Sequence, residues 1–187
     1  MRIVIAGVLG GLVLFFWGFV SHMFLPLGEM GHEMPKNEDA VLAVLKENLG
    51  EEGYYFVPGI SAEQYEDPAA LAAYGKKASA NPYAFILYQP QGRDDTNMGP
   101  MLVMELVTNL LSAILAAWIV NLAGVGFLRR LLLATSLGLF AWLVVSVPQW
   151  NWFRFPLDMT VGSLVMTVVG WFLAGLPMAW WLGRQPR

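Results

Sequence analysis

The sequence predicts an all-α integral membrane protein: four transmembrane helices with a small extracytoplasmic α+β insert between helices 1 and 2. Three observations predict it. Four runs are almost free of charge, and each approaches or exceeds the roughly 20 apolar residues that a helix needs to cross a bilayer. Charged residues make up 13 % of the 187 and apolar residues 57 %, where ordinary soluble domains carry roughly 25 % charge. The remaining charge is segregated: residues 26–99 hold twelve acidic and five basic side chains, a net of −7.

In chain order, residues 3–25 read as transmembrane helix 1, 26–99 as the insert and 100–187 as a three-helix segment. The spans of that segment fall at about 101–122, 131–147 and 159–182, with links at 123–130 and 148–158. The first apolar run, 3–20, is longer than the hydrophobic core of a typical signal peptide. No small-x-small cleavage site follows in Ser21-His22-Met23-Phe24-Leu25-Pro26, so a retained helix is expected. Gly7 and Gly11 form a GxxxG, with Ala6 and Gly10 as a parallel small pair; packing inside the bundle is expected of them rather than dimerisation.

The insert carries its own punctuation. Asn37 can cap a helix over 38–49 that puts Val41, Leu42, Leu45 and Leu49 on one face, with Gly50 as the stop. Residues 54–57 read as a short strand ended by Pro58-Gly59. Ser61 with Gln64 is a capping box opening a second helix towards Lys77, which Pro68 should break or restart. Residues 83–88 are the strongest strand, bounded by Asn81-Pro82 and by Pro90 to Gly92. The two aromatic strands are expected to pair; the alternative is a disordered loop, which the aromatics and helix caps argue against.

Orientation follows from the short segments. Arg2, Arg129, Arg130, Arg184 and Arg187 fall on one side, whereas the other short link has only Arg154. Cytoplasmic N- and C-termini and an extracytoplasmic insert are therefore expected. Trp180 and Trp181 suit the inner interface; Trp150, Trp152, Phe153 and Phe155 suit the outer one.

The candidate site starts in the second span. At roughly 100° per residue, Glu105, Asn109 and Ser112 share a face, with Thr108 beside it. A carboxylate in hydrocarbon costs several kcal/mol unless it is protonated, paired or wet, so this face should meet protein or water. Glu105 lies roughly 6 Å inside the outer end of its span. His22 follows the first helix, Asn151 the third span, and Asp158 opens the fourth. His22, Glu105, Asn109, Asn151 and Asp158 thus form a ligand-binding or structural polar cluster. Within it, Glu105 can accept from His22 or Asn151, or pair with Arg154. Asp158 also has a simpler role, as an acid favoured by the dipole of its helix.

A metal site is a further alternative. His22, Met23, Met30, His32 and Met34 follow the first span, and Met98, Met101 and Met104 run MxxMxxM into the second. Thioether and imidazole ligands suit Cu(I), so copper is the candidate cofactor. Against it, methionine is a common filler of apolar segments, and two histidines give little ligand density.

Other classes are excluded by what is missing. Without cysteine the chain has no disulfide, Fe–S cluster, zinc–thiolate site or cysteine nucleophile. GxSxG, HExxH, the P-loop and the dinucleotide GxGxxG are absent. Ser21 and His22 are adjacent on a helix and are expected to diverge by roughly 100°. No basic patch with interleaved aromatics exists, which excludes nucleic acid. A single intramembrane carboxylate and no pair of broken helices make a secondary transporter a weak reading. Pro177 is expected to kink the last span without a functional role.

The strings WGFVSHMFLPLGE, EEGYYFVPG, ELVTNLLSA and WNWFRFP, in this order over most of the chain, resemble a family of uncharacterised bacterial inner-membrane proteins of about this size. That resemblance implies a four-span inner-membrane protein with an external insert; the family has no assigned activity, so no functional residues carry over. The function expected first is a non-enzymatic accessory or scaffold subunit that binds a membrane or periplasmic partner, or a homo-oligomer. An outer-leaflet ligand or catalytic site at Glu105, Asn109 and His22 is the alternative, and copper handling the third reading.

Overall fold

The computed structural model describes residues 1–124 and 126–184. Arg187, counted above among the basic residues of one side, lies outside the described residues, as does Val125 in the link at 123–130. In chain order the elements are α1 (Arg2–Met23), α2 (Glu38–Asn48), β1 (Gly53–Val57), α3 (Ala62–Glu66), α4 (Pro68–Ala80), β2 (Ala84–Tyr88), α5 (Gly99–Leu122), α6 (Phe127–Phe153) and α7 (Leu157–Gly183), with one 3-10 turn at Leu27–Glu29. They fall into two compact units: Met34–Asp95, and a helical unit made of Met1–Glu33 with Thr96–Arg187. Residues 26–33, read above as part of the insert, thus belong with the long helices.

In the helical unit α1, α5, α6 and α7 are each long and apolar enough to cross a membrane, at 22, 24, 27 and 27 residues. The expected third span is too short. Instead of stopping at 147, α6 continues through Pro148 to Phe153. Proline removes one N–H and crowds the preceding turn, but a long apolar helix absorbs that defect through local adjustment. The reversal falls instead at Arg154, whose φ of 55° is left-handed, so the link to α7 is only residues 154–156. Likewise α7 runs through Pro177.

Small residues set the packing. α1 runs antiparallel to α5: a Cβ on Gly7 would overlap the backbone of Ile114, and one on Gly11 would lie 2.8 Å from Leu110 Cα. The GxxxG is therefore used inside the bundle, where only glycine allows two backbones so near. On a neighbouring face α1 meets α7, antiparallel again, with Gly10 under Met178 and Trp17 against Gly170. α7 in turn packs on α6, with Gly175 on Ala134 and Gly138 on Trp171. The resulting order is α5–α1–α7–α6. Two indoles fasten neighbours: Trp17 Nε1 donates to Met166 O at 2.8 Å, and Trp142 Nε1 to Thr160 O at 3.0 Å.

Burial is concentrated at one end. The core cluster of Ala6, Ala117, Val120, Ala134, Ala174, Met178 and Leu182 draws on the first halves of α1 and α6 and the last halves of α5 and α7. This end is the base. Arg2 ties it by donating to Leu182 O at 3.2 Å and Arg184 O at 3.0 Å. At the opposite end, the mouth, Leu102, Val103 and Met104 of α5 and Val144, Val145 and Trp152 of α6 are exposed. There residues 27–31 form a strap over α7: Leu27 O and Met30 Sδ would each be 3.0 Å from a Cβ on Gly162, which is buried together with Thr160. Gly31 turns the strap with φ of +79°.

The smaller unit is built from caps and a hairpin. Asn37 Oδ1 accepts from Ala40 N at 3.1 Å and starts α2. Ser61 and Gln64 form the expected reciprocal capping box, at 3.2 and 3.1 Å. Pro68 restarts the helix as α4, with Asp67 Oδ1 accepting from Ala69 N at 2.9 Å. The Ser61 hydroxyl and the Glu63 backbone N–H hold the Glu63 carboxyl below its ordinary range. β1 and β2 pair antiparallel, Tyr55 opposite Ile86, with Phe56 and Phe85 rings 5.2 Å apart. Only Pro58 among this unit's residues is buried, so local hydrogen bonds and ring contacts carry it.

Candidate functional site

A cavity of about 410 Å³ opens between α1, α5 and α7 on the mouth side of the bundle. Three helix faces supply its walls. α1 contributes Leu14, Trp17, Gly18, Ser21 and His22; α5 contributes Glu105, Asn109 and Ser112; α7 contributes Met166, Thr167 and Trp171. The face read from the spacing of Glu105, Asn109 and Ser112 is thus turned into this cavity, and His22 joins it from α1.

On α5 the polar groups first satisfy one another. Asn109 Nδ2 donates to Glu105 Oε1 at 3.0 Å, and Ser112 Oγ donates to Asn109 O at 3.2 Å. Glu105 therefore takes its partner from the next turn of its own helix, not from His22 or Asn151. The i,i+4 spacing explains this, since it places an amide within reach of the carboxylate at no tertiary cost. Thr108 Oγ1 bonds back to Met104 O and Glu105 O and is not part of the wall.

On α1 the structure corrects an expectation. Ser21 Oγ and His22 Nδ1 were expected to diverge, yet they lie 3.3 Å apart. Both side chains fold back onto one carbonyl: Ser21 Oγ donates to Gly18 O at 2.9 Å, and His22 Nδ1 sits 2.8 Å from the same oxygen. A carbonyl only accepts, so Nδ1 must carry the proton. The ring then has no lone pair facing the Ser21 hydroxyl, which is itself buried. This pair is not a nucleophile with its base. The acceptor of the neutral ring is Nε2, on the edge covered by Gly28: a Cβ there would lie 2.7 Å from it.

The other members of the predicted cluster are elsewhere. Asn151 rides on the last turn of α6, because that helix runs on past Pro148; it is exposed and not part of the cavity wall. Asp158 is in the first turn of α7, where Oδ1 accepts from Met159 N at 2.9 Å beside Gly31 of the strap. That is the helix-start role the dipole favours.

The residues grouped as copper ligands have different surroundings. Met30 fills the space over Gly162, and His32 Nδ1 meets Glu29 Oε2 at 3.1 Å. Met23, Met98 and Met104 are exposed, Met101 is half-buried on α5, and Met34 belongs to the smaller unit. Among the described residues no three His, Asp or Glu side chains gather as a metal site.

Sequence reasoning missed the α7 wall. Trp17 carried a legible signal, since an indole N–H inside an apolar run needs an acceptor. Its partner, a main-chain carbonyl at Met166, has none. No family model, curated protein or solved structure matches this chain. Chemically, the cavity is amphipathic. Trp17 and Trp171 are part of its wall, and Glu105 keeps Oε2 beyond the bond to Asn109. None of its lining residues is Lys or Arg, and its one acidic side chain is Glu105. Such a site favours a hydrogen-bond donor or a cation over an anion.

Proposed function

We propose that this chain is a bacterial inner-membrane binding protein, non-enzymatic, whose α1–α5–α7 cavity takes an amphipathic ligand bearing a cationic or hydrogen-bond-donating group. The observation that carries this reading is the convergence of Ser21, His22, Glu105, Asn109, Ser112 and Thr167 on one cavity between otherwise apolar helices. Its volume of about 410 Å³ falls within the roughly 300–1,000 Å³ of small-molecule sites. The shared proton acceptor of Ser21 and His22 argues for binding rather than nucleophilic chemistry. The test is the thermal midpoint of purified protein titrated with a long-chain alkylammonium or with an alkyl sulfate of equal length. The alkylammonium should stabilise the parent, and Glu105→Gln should abolish that effect. Equal responses to both amphiphiles, or an unchanged response in the variant, would sink the reading.

A second reading, an accessory or scaffold subunit that engages a protein partner or another copy, rests on α2. Ala40, Val41, Val44 and Leu45 form an apolar face there, Val41, Leu42 and Val44 are exposed, and among the described residues α2 makes at most marginal contact with the other elements of its unit. Photo-crosslinking from position 44 in cells should give a discrete adduct, to itself or to a partner; its absence removes this reading. Both readings use the arrangement with cytoplasmic termini and an extracytoplasmic insert, supported by the arginines at the base. The chain lacks cysteine, so single-cysteine labelling tests it directly. Lys76→Cys should react with an impermeant reagent in intact cells and Arg129→Cys should not.

A further inference from the structure

The base of the helical unit has donors without acceptors. Arg130, in the first turn of α6, is 5 % exposed, and its Nε is buried with no hydrogen-bond partner among the described residues. Trp181, in the last turn of α7, has a buried Nε1 in the same condition. Both atoms are N–H donors, so what both need is an acceptor. Buried donors left unbonded are uncommon, and a buried guanidinium without a counter-charge is costly.

The surroundings supply more positive character and no negative side chain. Arg130 Nη1 lies 3.5 Å from where a Gly183 side chain would begin, and Arg2 donates to Leu182 O and Arg184 O, so both guanidinium groups meet the last turn of α7. Arg184 lies over the Trp180 ring at 3.8 Å, and Arg129 is exposed on the turn that carries Arg130. α6 begins there with Gly126 as its N-cap and no side-chain cap, leaving its first N–H groups open. Residues 113–140, 171–184 and 1–21 contain no Asp or Glu. The carbonyl end of α7 attracts Arg130 but forms no hydrogen bond with it, so the orphan donors remain.

We propose that this base is a binding site for a phosphate-type oxyanion, centred on Arg130 with Arg2, Arg129 and Arg184 at its edge. A phosphate offers several acceptor oxygens to one guanidinium fork, which a water or a single carbonyl does not. Helices long and apolar enough to cross a bilayer put a site at their ends at headgroup level, so an anionic phospholipid and free phosphate are the two sources.

The experiment uses the full chain in neutral detergent. Phosphatidylglycerol, phosphatidylcholine and inorganic phosphate are added separately, and bound lipid is read by native mass spectrometry and by the thermal midpoint. Phosphatidylglycerol should bind well above phosphatidylcholine. Arg130→Gln should weaken it about tenfold, the equivalent of one charge-assisted hydrogen bond. Arg129→Gln, on the exposed neighbour, should weaken it far less. Arg130→Lys keeps the charge and loses the guanidinium fork, so it gives a smaller loss and serves if Arg130→Gln does not fold. Competition by inorganic phosphate assigns the site to the free anion, and its absence to the lipid headgroup. Equal losses in the Arg129 and Arg130 variants would reduce the site to diffuse surface charge, and no preference for phosphatidylglycerol together with no effect of phosphate would overturn the proposal outright.

Discussion

The base and the mouth of the helical unit are made from the same four helices but from different residues. At the base, Ala6, Gly7, Gly10, Ala117, Ala134, Ala174 and Gly175 let backbones touch, and almost nothing apolar that faces inward is left exposed. Towards the mouth, indoles take the place of methyl groups. Trp17 lies on Gly170 and Trp171 on Gly138, and a side chain of that size holds helices apart. The polar residues follow the gap: Ser21, His22, Glu105, Asn109 and Thr167 are all on the wide side. The difference teaches that the site is a consequence of where small residues stop. Small residues let backbones come into close contact and shut a bundle of helices this apolar, and where they stop a cleft is left.

The largest expected effect comes from breaking the closed end. Gly7→Leu puts a side chain into the Ile114 backbone and should cost about 3 kcal/mol, read as the unfolding midpoint in mild detergent. Gly18→Ala, on the cavity side where a Cβ meets nothing within 4 Å, should leave that midpoint unchanged. If the two variants behave alike, the contrast between the ends is wrong. A smaller difference is expected from methionine truncation. Met178→Ala empties a fully buried position and should cost about 2 kcal/mol, whereas Met104→Ala at the mouth should cost almost nothing. Trp17→Phe sharpens the boundary between the ends: it keeps a ring over Gly170 but deletes the bond to Met166 O, for about 1 kcal/mol. It should also raise hydrogen exchange around residues 14–21 more than around residues 3–10. The smallest change lies outside both ends. Ser61→Ala removes the α3 cap for roughly 0.5 kcal/mol. Because Glu63 titrates below its ordinary range in the folded unit, its favourable contribution is present above that range and disappears as pH falls through it. The cost of the Ser61 variant, read by circular dichroism of the insert's unfolding, should therefore be largest at neutral pH and shrink as pH falls through that range.

What could be read from the sequence was whatever depends on composition and local chemistry. The four long helices follow from uncharged length, and α2, α3 and α4 from Asn37, the Ser61–Gln64 box and the Pro68 restart, each a hydrogen bond between near neighbours. The Glu105–Asn109–Ser112 face was legible for the same reason. Three things were not. Pro148 reads as a stop because proline stops helices in water, yet α6 carries it, and Asn151 travels with the helix away from the cavity. Ser21 and His22 point apart by helical spacing alone, but both side chains bend back to Gly18 O, which spacing does not encode. The α7 wall depends on which helix lies against α1, a fact that the bond from Trp17 to a main-chain oxygen expresses without any sequence mark at Met166.

The central position of α1 has a consequence for how the molecule is assembled. Its two partners, α5 and α7, pack on neighbouring faces of it, and the bond from Arg2 to Leu182 O spans 180 positions of the chain. α1 is made before α7, so its Gly10 face has no Met178 to meet until α7 is complete. Until then the glycine-lined stripe of α1 is without the side chains that cover it. Closure of this contact is a late, long-range event, and truncation within α7 should leave α1 and α5 paired but the base unlocked.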